Sequence, residues 1–185
     1  MRIGLDIDNV IRDWVTSLIY NFRCDFPNEN IEIKPTFDIA QWSTIGQRIY
    51  KYAFEEKPLE IYLSALPMPG AIEYLNELKL DSHRIVLISN QPNEKTRAFT
   101  NIWLGRYSIP FDELHYTSRK WEVKCDIFVD DYLKNIEDYR KHVEVPCIVF
   151  DAPWNANSSP RFYRAYGWKE LYSIIKRINE NNGGN

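Results

Sequence analysis

Four short apolar runs along the chain predict buried β-strands. They lie at residues 3–7, 85–89, 127–129 and 147–150 and are rich in Ile, Val, Leu and Phe. Continuous apolar runs of this length are typical of strands that are covered on both faces. We therefore expect these runs to form a parallel sheet.

Apolar residues at helical spacing predict helices between the runs. Four of these helices alternate with the strands, at residues 69–81, 93–107, 134–142 and 168–179. Two more, at residues 14–26 and 45–54, lie between the first and second strands. Strands that alternate with helices indicate a doubly wound α/β fold, similar to a Rossmann sheet.

The chain between residues 12 and 66 departs from this alternation. It contains no strand of the same kind, and an irregular stretch separates its two predicted helices. The prediction is a catalytic core at 1–13 and 67–180, with a small helical insertion at 14–66. Residues 181–185, which include Gly183 and Gly184, are expected to be frayed.

Composition limits the classes of function. The chain has 185 residues, enough for one domain, and 44% of them are hydrophobic and 26% charged, as in ordinary globular proteins. A net charge of −3 argues against binding to a nucleic-acid polymer or an anionic membrane. No apolar run approaches the ~20 residues that a membrane span needs.

Cysteine usage suggests a compartment. Cys24, Cys125 and Cys147 are far apart and form no CxxC pair, which disfavours zinc and thioredoxin-like sites. Scattered cysteines in odd number, with no secretory signal pattern at the start, favour the cytoplasm. Cys125 and Cys147 adjoin apolar runs and are expected to be buried thiols.

Two pairs of acids follow predicted strands. Asp6 and Asp8 end the first run, and Asp130 and Asp131 end the third. Open α/β sheets bind ligands at the carboxyl ends of their strands, so four carboxylates are expected to converge there. Such a cluster requires a cation, and hard oxygen ligands favour Mg²⁺. The alternative is that these acids are helix caps or turn residues.

A hydroxyl and a lysine complete the candidate chemistry. The second run ends in Ser89-Asn90, where a hydroxyl and backbone N–H groups could hold a phosphate oxygen. Lys120 precedes Asp130 by ten residues. Taken alone, Ser89 could be an ordinary turn residue and Lys120 a solvated lysine.

Together, these elements resemble the haloacid dehalogenase-like phosphohydrolases in order and spacing. That family carries DxDx(T/V), a strand ending in Ser or Thr, a lysine and a pair of acids. The matching residues here are Asp6-Ile7-Asp8-Asn9-Val10, Ser89, Lys120 and Asp130-Asp131. The resemblance covers nearly the whole chain.

A closer resemblance is to the 5′(3′)-deoxyribonucleotidases of bacterial and phage type. It is carried by Arg12-Asp13-Trp14, by the turn at 66–71 and by the segment at 149–155. Two positions depart from the pattern. Asn9 stands where Gly is frequent, although Asn tolerates positive φ. Tyr132 stands where relatives often have a basic residue.

The resemblance implies a mechanism. Asp6 would be the nucleophile and Asp8 the general acid and base. Mg²⁺ would bind Asp6, the backbone carbonyl of Asp8, and Asp131. Ser89, Asn90 and Lys120 would bind the phosphate. Asp130 would orient Lys120 or a metal-bound water, and which acid of the pair contacts the metal is left open.

The resemblance also implies a substrate, namely a deoxyribonucleoside monophosphate, with dUMP and dTMP favoured. Trp14, Phe37 and Trp42 are candidate base contacts, and for Phe37 and Trp42 a place in the core of the insertion is the alternative. Relatives of this kind are often dimers, so a homodimer is one oligomeric state to test.

Other functions stay open at this point. The chain could be a phosphatase of the same fold for a sugar phosphate or another small phosphoester. It could also be a catalytically idle module that binds Mg²⁺ or a nucleotide, although binding alone needs no general acid. A dinucleotide-binding protein is excluded because the seven glycines form neither GxGxxG nor a P-loop.

Overall fold

A single parallel sheet organises the protein in the computed structural model, which describes residues 1–156 and 161–183. Its strands are β1 Arg2–Leu5, β2 Arg84–Ser89, β3 Glu113–Tyr116, β4 Ile127–Asp130, β5 Cys147–Phe150 and β6 Tyr163–Ala165. They lie in the order β3-β2-β1-β4-β5-β6. Leu5 pairs with Leu87 on one side and Val129 on the other, so β1, β2 and β4 end side by side.

The described residues form seven α-helices. They are α1 Trp14–Asp25, α2 Arg48–Lys51, α3 Pro58–Ser64, α4 Ala71–Leu80, α5 Glu94–Arg106, α6 Leu133–His142 and α7 Trp168–Gly183. Of these, α4 to α7 cover the sheet. Side-chain caps fix where two of the seven helices begin. The Asp13 side chain accepts from Thr16 N and caps α1, and Asn93 and Thr96 form a capping box at α5.

Helices cover both faces of the sheet. On one face, Leu5 and Leu87 pack with side chains of α4, α5 and α7, including Leu75 and Leu171. On the other face, Phe128 packs with apolar residues that include Ile136 and Tyr139 of α6. The predicted doubly wound α/β fold is confirmed.

The segment between β1 and α4 has an apolar cluster of its own. Trp14, Leu18 and Phe22 of α1 pack there with Tyr52 and Ile61. The helix predicted at 45–54 is α2 followed by a π-helical turn at Tyr52–Glu56, and α3 is an additional helix. The large buried aromatics of this cluster give the segment a core of its own, separate from that of the sheet.

Some boundaries differ from the prediction. The sequence pattern missed β3 and β6, and α7 continues to Gly183 instead of fraying after residue 180. The final residues of the predicted tail, 184–185, lie outside the described residues. No helix in the described part of the chain is both long and apolar enough to cross a membrane.

The cysteine predictions are confirmed for two residues. Cys125 and Cys147 are free and buried, and burial raises the pKa of Cys147 to about 11. A thiol with a raised pKa is a poor nucleophile at neutral pH, which fits a packing role. Cys24 is free and exposed.

Candidate active site

The loop after β1 presents Asp6 and Asp8 at the carboxyl edge of the sheet. Asp6 N donates to Val129 O at 3.0 Å and continues the parallel ladder by one step. The chain then turns at Asn9, whose φ of 60° is left-handed, as its residue type permits. The Asn9 side chain accepts from Val15 N at 3.1 Å and so ties the loop to the start of α1.

Three buried carboxylates meet at this edge. Asp6, Asp130 and Asp131 bring oxygens within 4.8 Å of one another. Lys120 Nζ lies between two of them, 2.8 Å from Asp6 Oδ1 and 2.7 Å from Asp130 Oδ2. Lys120 is itself buried, so it is not the solvated lysine that its position alone would suggest.

This cluster has more negative charge than Lys120 can balance. Burial raises the pKa of Asp6 to about 7, and the Asp130 and Asp8 charges add to that effect while Lys120 opposes it. Burial, followed by the charges of Asp130 and Asp6, raises the pKa of Asp131 well above its usual value. A cation among these groups would favour their ionised forms.

The two neighbouring acids have different partners. Asp130 accepts from Lys120, from Tyr132 N at 2.8 Å and from Asn135 Nδ2, and it is fully buried. This is the environment of a carboxylate that orients a lysine.

Asp131 is better placed for a metal. Its Oδ2 accepts from Trp154 Nε1 at 3.1 Å and from Asn9 Nδ2 at 3.3 Å. These donors fix the carboxylate plane and leave Oδ1 as the oxygen that could bind a cation. With Asp6 close by, the cluster offers hard oxygen ligands and neither His nor Cys, a donor set that fits Mg²⁺.

The Asp8 carboxylate lies outside the acid cluster, so the expectation of four converging carboxylates was wrong for this residue. Its Oδ1 accepts from Arg12 Nε at 2.8 Å and its Oδ2 from Gln91 Nε2 at 2.8 Å. The Asp8 side chain is held instead by the buried guanidinium four residues later and by the Gln91 amide. Metal binding through the Asp8 backbone carbonyl stays a prediction.

A cavity of about 440 Å³ opens above these groups. Asp6, Asp8, Ser89, Asn90 and Lys120 form its polar floor. Ser89 is buried at the end of β2, and its hydroxyl accepts from Gln91 Nε2 at 2.9 Å. The structure therefore brings together every residue predicted to bind phosphate with both residues predicted to be catalytic.

Aromatic rings form the wall of the cavity, and all three predicted base contacts are among them. Trp14 stacks on Phe54 with centroids 5.5 Å apart. Phe37 stacks on Tyr132 at 3.8 Å and is 43% exposed, whereas Trp42 is 3% exposed and packs beside Trp154. Phe37 is thus the most exposed of the three rings, whereas Trp14, which is 6% exposed, and Trp42 are largely covered by their neighbours, and base contact stays a prediction for all three.

Sequence reasoning missed several residues of the site. Two of them, Arg12 and Gln91, donate hydrogen bonds to Asp8. The others line the cavity and are Phe54, Tyr62, Tyr132, Asn135 and Trp154. The position of Tyr132 beside the acid pair was a signal for one of them. Arg12 and Asn135 are also close in the chain to predicted acids, whereas Gln91, Phe54 and Tyr62 reach the site only through tertiary packing.

Comparison with known proteins points to one family. The sequence model described as 5′ nucleotidase, deoxy (pyrimidine), cytosolic type C protein matches residues 1–180. A 5′(3′)-deoxyribonucleotidase of Bacillus subtilis is 25% identical over 174 residues, which cover 91% of this chain and 95% of the relative. The protein of the same name from Bacillus phage SPbeta has the same identity and coverage.

Solved structures share the fold at lower sequence identity. A hydrolase of the haloacid dehalogenase superfamily from Ehrlichia chaffeensis is similar with a TM-score of 0.55 and 13% identity over 96% of both chains. A D,D-heptose 1,7-bisphosphate phosphatase from B. bronchiseptica, complexed with magnesium and phosphate, has a TM-score of 0.54 and 10% identity. The aligned region covers 96% of this chain and 98% of the phosphatase chain. These similarities show that the chain shares the α/β fold of these two hydrolases.

Proposed function

The chain belongs to the 5′ nucleotidase, deoxy (pyrimidine), cytosolic type C protein family, and from this premise we propose that it hydrolyses deoxyribonucleoside monophosphates, with dUMP and dTMP preferred. It is a nucleotide phosphomonoesterase. The proposal adds Mg²⁺ dependence, an aspartyl-phosphate intermediate on Asp6 and the choice of base. We also propose that it works in the cytoplasm, which its free cysteines favour.

One observation carries the proposal: a carboxylate beside a buried lysine and two further acids, at the floor of an aromatic cavity. Asp6 is 8% exposed and lines that cavity, so a phosphate entering it can reach the carboxylate. Lys120 has three N–H bonds, of which two point to acids, and the third can bind a phosphate oxygen.

In the first step, Asp6 attacks phosphorus while the bond to the leaving nucleoside oxygen breaks. Asp8 transfers a proton to that oxygen, so a neutral nucleoside leaves and Asp8 becomes a carboxylate. Ser89 and Lys120 stabilise the charge that spreads over the other phosphate oxygens. Bound Mg²⁺, held by Asp6, the Asp8 carbonyl and Asp131, would neutralise charge between nucleophile and phosphate.

In the second step, water attacks phosphorus and the bond between phosphorus and Asp6 breaks. The Asp8 carboxylate takes the proton from that water, which returns both acids to their starting forms. Lys120 keeps its contacts with Asp6 and Asp130 throughout, so it balances the charge released on Asp6. The cycle needs no group beyond those at the cavity floor and the metal.

We propose that residues 14–66 act as a cap that selects the substrate. Trp14, Phe54 and Tyr62 belong to this segment and line the cavity opposite the strand ends. A base attached to a phosphate on the floor would lie against these rings, where stacking contributes about 1–3 kcal/mol. A cavity of about 440 Å³ suits a mononucleotide better than a phosphoprotein loop.

A phosphate-release screen with Mg²⁺ tests this function. The panel contains deoxyribonucleoside and ribonucleoside monophosphates, sugar phosphates and p-nitrophenyl phosphate. We expect dUMP and dTMP to give the highest kcat/KM, chelation to abolish the activity and Mg²⁺ to restore it. Ca²⁺ should substitute poorly because it prefers more ligands at longer distances. Faster turnover of sugar phosphates would overturn the nucleotide assignment, and full activity in chelator would overturn the metal.

Trp14→Ala separates base binding from phosphate chemistry. Removing the indole should raise KM for dTMP on the order of 10-fold or more, because the base loses its stacking partner. KM for p-nitrophenyl phosphate should change little, because the polar floor is intact. Tyr20→Ala is the matched control, since Tyr20 is an aromatic of the same helix that is 65% exposed. Equal losses on both substrates would identify Trp14 as a packing residue only.

A further inference from the structure

We propose that Arg12 is a positioning residue for Asp8, an inference that rests on the proposed function. Two nitrogens of its guanidinium reach one carboxylate oxygen, with Nε at 2.8 Å and Nη2 at 2.7 Å from Asp8 Oδ1. Two donors on a single oxygen restrict the rotation of the carboxylate. Arg12 therefore sets the direction from which Asp8 approaches the leaving group.

The guanidinium is itself held firmly. It is completely buried, and it lies over the Tyr62 ring at 4.5 Å and the Trp103 ring at 5.2 Å. Its Nη2 also donates to Thr100 Oγ1 at 3.1 Å. The two aromatic faces and the hydroxyl from α5 restrict the movement of the guanidinium. The Asp8 carboxylate that it binds is therefore restricted as well.

Gln91 holds the other oxygen of Asp8 and completes the arrangement. Its Nε2 donates to Asp8 Oδ2 at 2.8 Å, and its Oε1 accepts from Tyr62 O–H at 2.8 Å. Both carboxylate oxygens of Asp8 thus accept from side chains that are themselves held in place. Tyr62 contacts both holders, so a residue of α3 in the proposed cap supports the geometry of the proposed general acid.

Burial of an arginine would be unfavourable without a matching anion. The only ion pair of Arg12 among the described residues is with Asp8, whose side chain is 22% exposed. A buried cation paired with one partly exposed carboxylate contributes little to the free energy of folding, because desolvation of the guanidinium offsets the attraction between the charges. It is well suited to fixing that carboxylate for proton transfer, where small misplacements are costly.

A double-mutant cycle distinguishes positioning from a structural role. Arg12→Met, Asp8→Asn and the double variant are assayed with dTMP and with p-nitrophenyl phosphate. Arg12→Met should lower kcat for dTMP about 10- to 100-fold at unchanged KM. In a pre-steady-state assay, the loss in the rate of nitrophenol release should be much smaller, because that leaving group needs little protonation and its release precedes the step in which Asp8 acts as the base. Adding Arg12→Met to Asp8→Asn should cause no further loss.

Other outcomes would overturn the inference. Additive losses in the cycle, or equal losses in the rate of first-product release from both substrates, would show that Arg12 supports the fold and not Asp8. If Arg12→Met does not fold, Arg12→Lys takes its place in the same cycle, since it keeps the charge but loses the fork of donors. If the wild type cleaves p-nitrophenyl phosphate but no nucleotide, the proposed substrate is refuted. The cycle is then read on steady-state turnover of p-nitrophenyl phosphate, in which Asp8 acts as the base, and additive losses would again overturn the role of Arg12.

Discussion

Asp6→Asn is expected to abolish hydrolysis of every phosphomonoester, with a loss in kcat on the order of 10⁴-fold or more. The amide has nearly the shape of the carboxylate but is a poor nucleophile, so no covalent intermediate forms. The loss should be equally complete for dTMP and p-nitrophenyl phosphate, because a better leaving group cannot replace an absent nucleophile. Phosphate release with Mg²⁺ present measures both.

Asp151→Asn is the matched control for this variant. Asp151 also follows a strand of the sheet, β5, but it pairs with Arg164 and is absent from the residues that line the cavity. We expect it to keep activity near that of the wild type. Substantial turnover by Asp6→Asn would show that water attacks the phosphate directly and that Asp6 serves only the metal.

Asp8→Asn is expected to have the second largest effect. Loss of general acid and base catalysis should lower kcat for dTMP on the order of 10²–10⁴-fold. With p-nitrophenyl phosphate, release of the first product should be impaired much less, because nitrophenolate leaves without a proton. A pre-steady-state assay resolves that release. Equal impairment of the first step for both substrates would contradict the role of Asp8.

The central part of the fold could be predicted because its strands are strongly apolar. All residues of β4 and β5 are buried, so their sequences are almost continuous runs of apolar residues. The strands that were missed are the two edges of the sheet. The sequence of β3 is Glu-Leu-His-Tyr and the strand is only half buried, and β6 has only three residues. Neither strand therefore shows a pattern of apolar residues that the sequence alone could identify.

Residues of the candidate site were predictable where motif and strand end coincide. Asp6, Ser89 and Asp130-Asp131 follow buried runs, and parallel pairing places them together. The orientation of Asp8 was not predictable, because it depends on Arg12 and on Gln91, which lies 83 positions away. Side-chain pairs at that separation leave no periodic signal.

The aromatic wall illustrates the same limit. Trp14 could be proposed because it lies close to Asp8 in the chain, whereas Trp154 joins the site only through the packing of β5 beside β4. Its indole N–H then reaches Asp131 Oδ2. One ring thus belongs to both the cavity wall and the acid cluster, a double role that no local pattern indicates.

Trapping the covalent intermediate tests the central claim most directly. Asp8→Asn protein is mixed with p-nitrophenyl phosphate and Mg²⁺, quenched in acid, digested and analysed by mass spectrometry. Attack by Asp6 needs no acid with this substrate, whereas release of phosphate needs the missing base, so the intermediate should accumulate. The account predicts one phosphoryl group on the peptide that contains Asp6. A burst of nitrophenol without phosphorylated peptide, or a phosphoryl group on another residue, would contradict it.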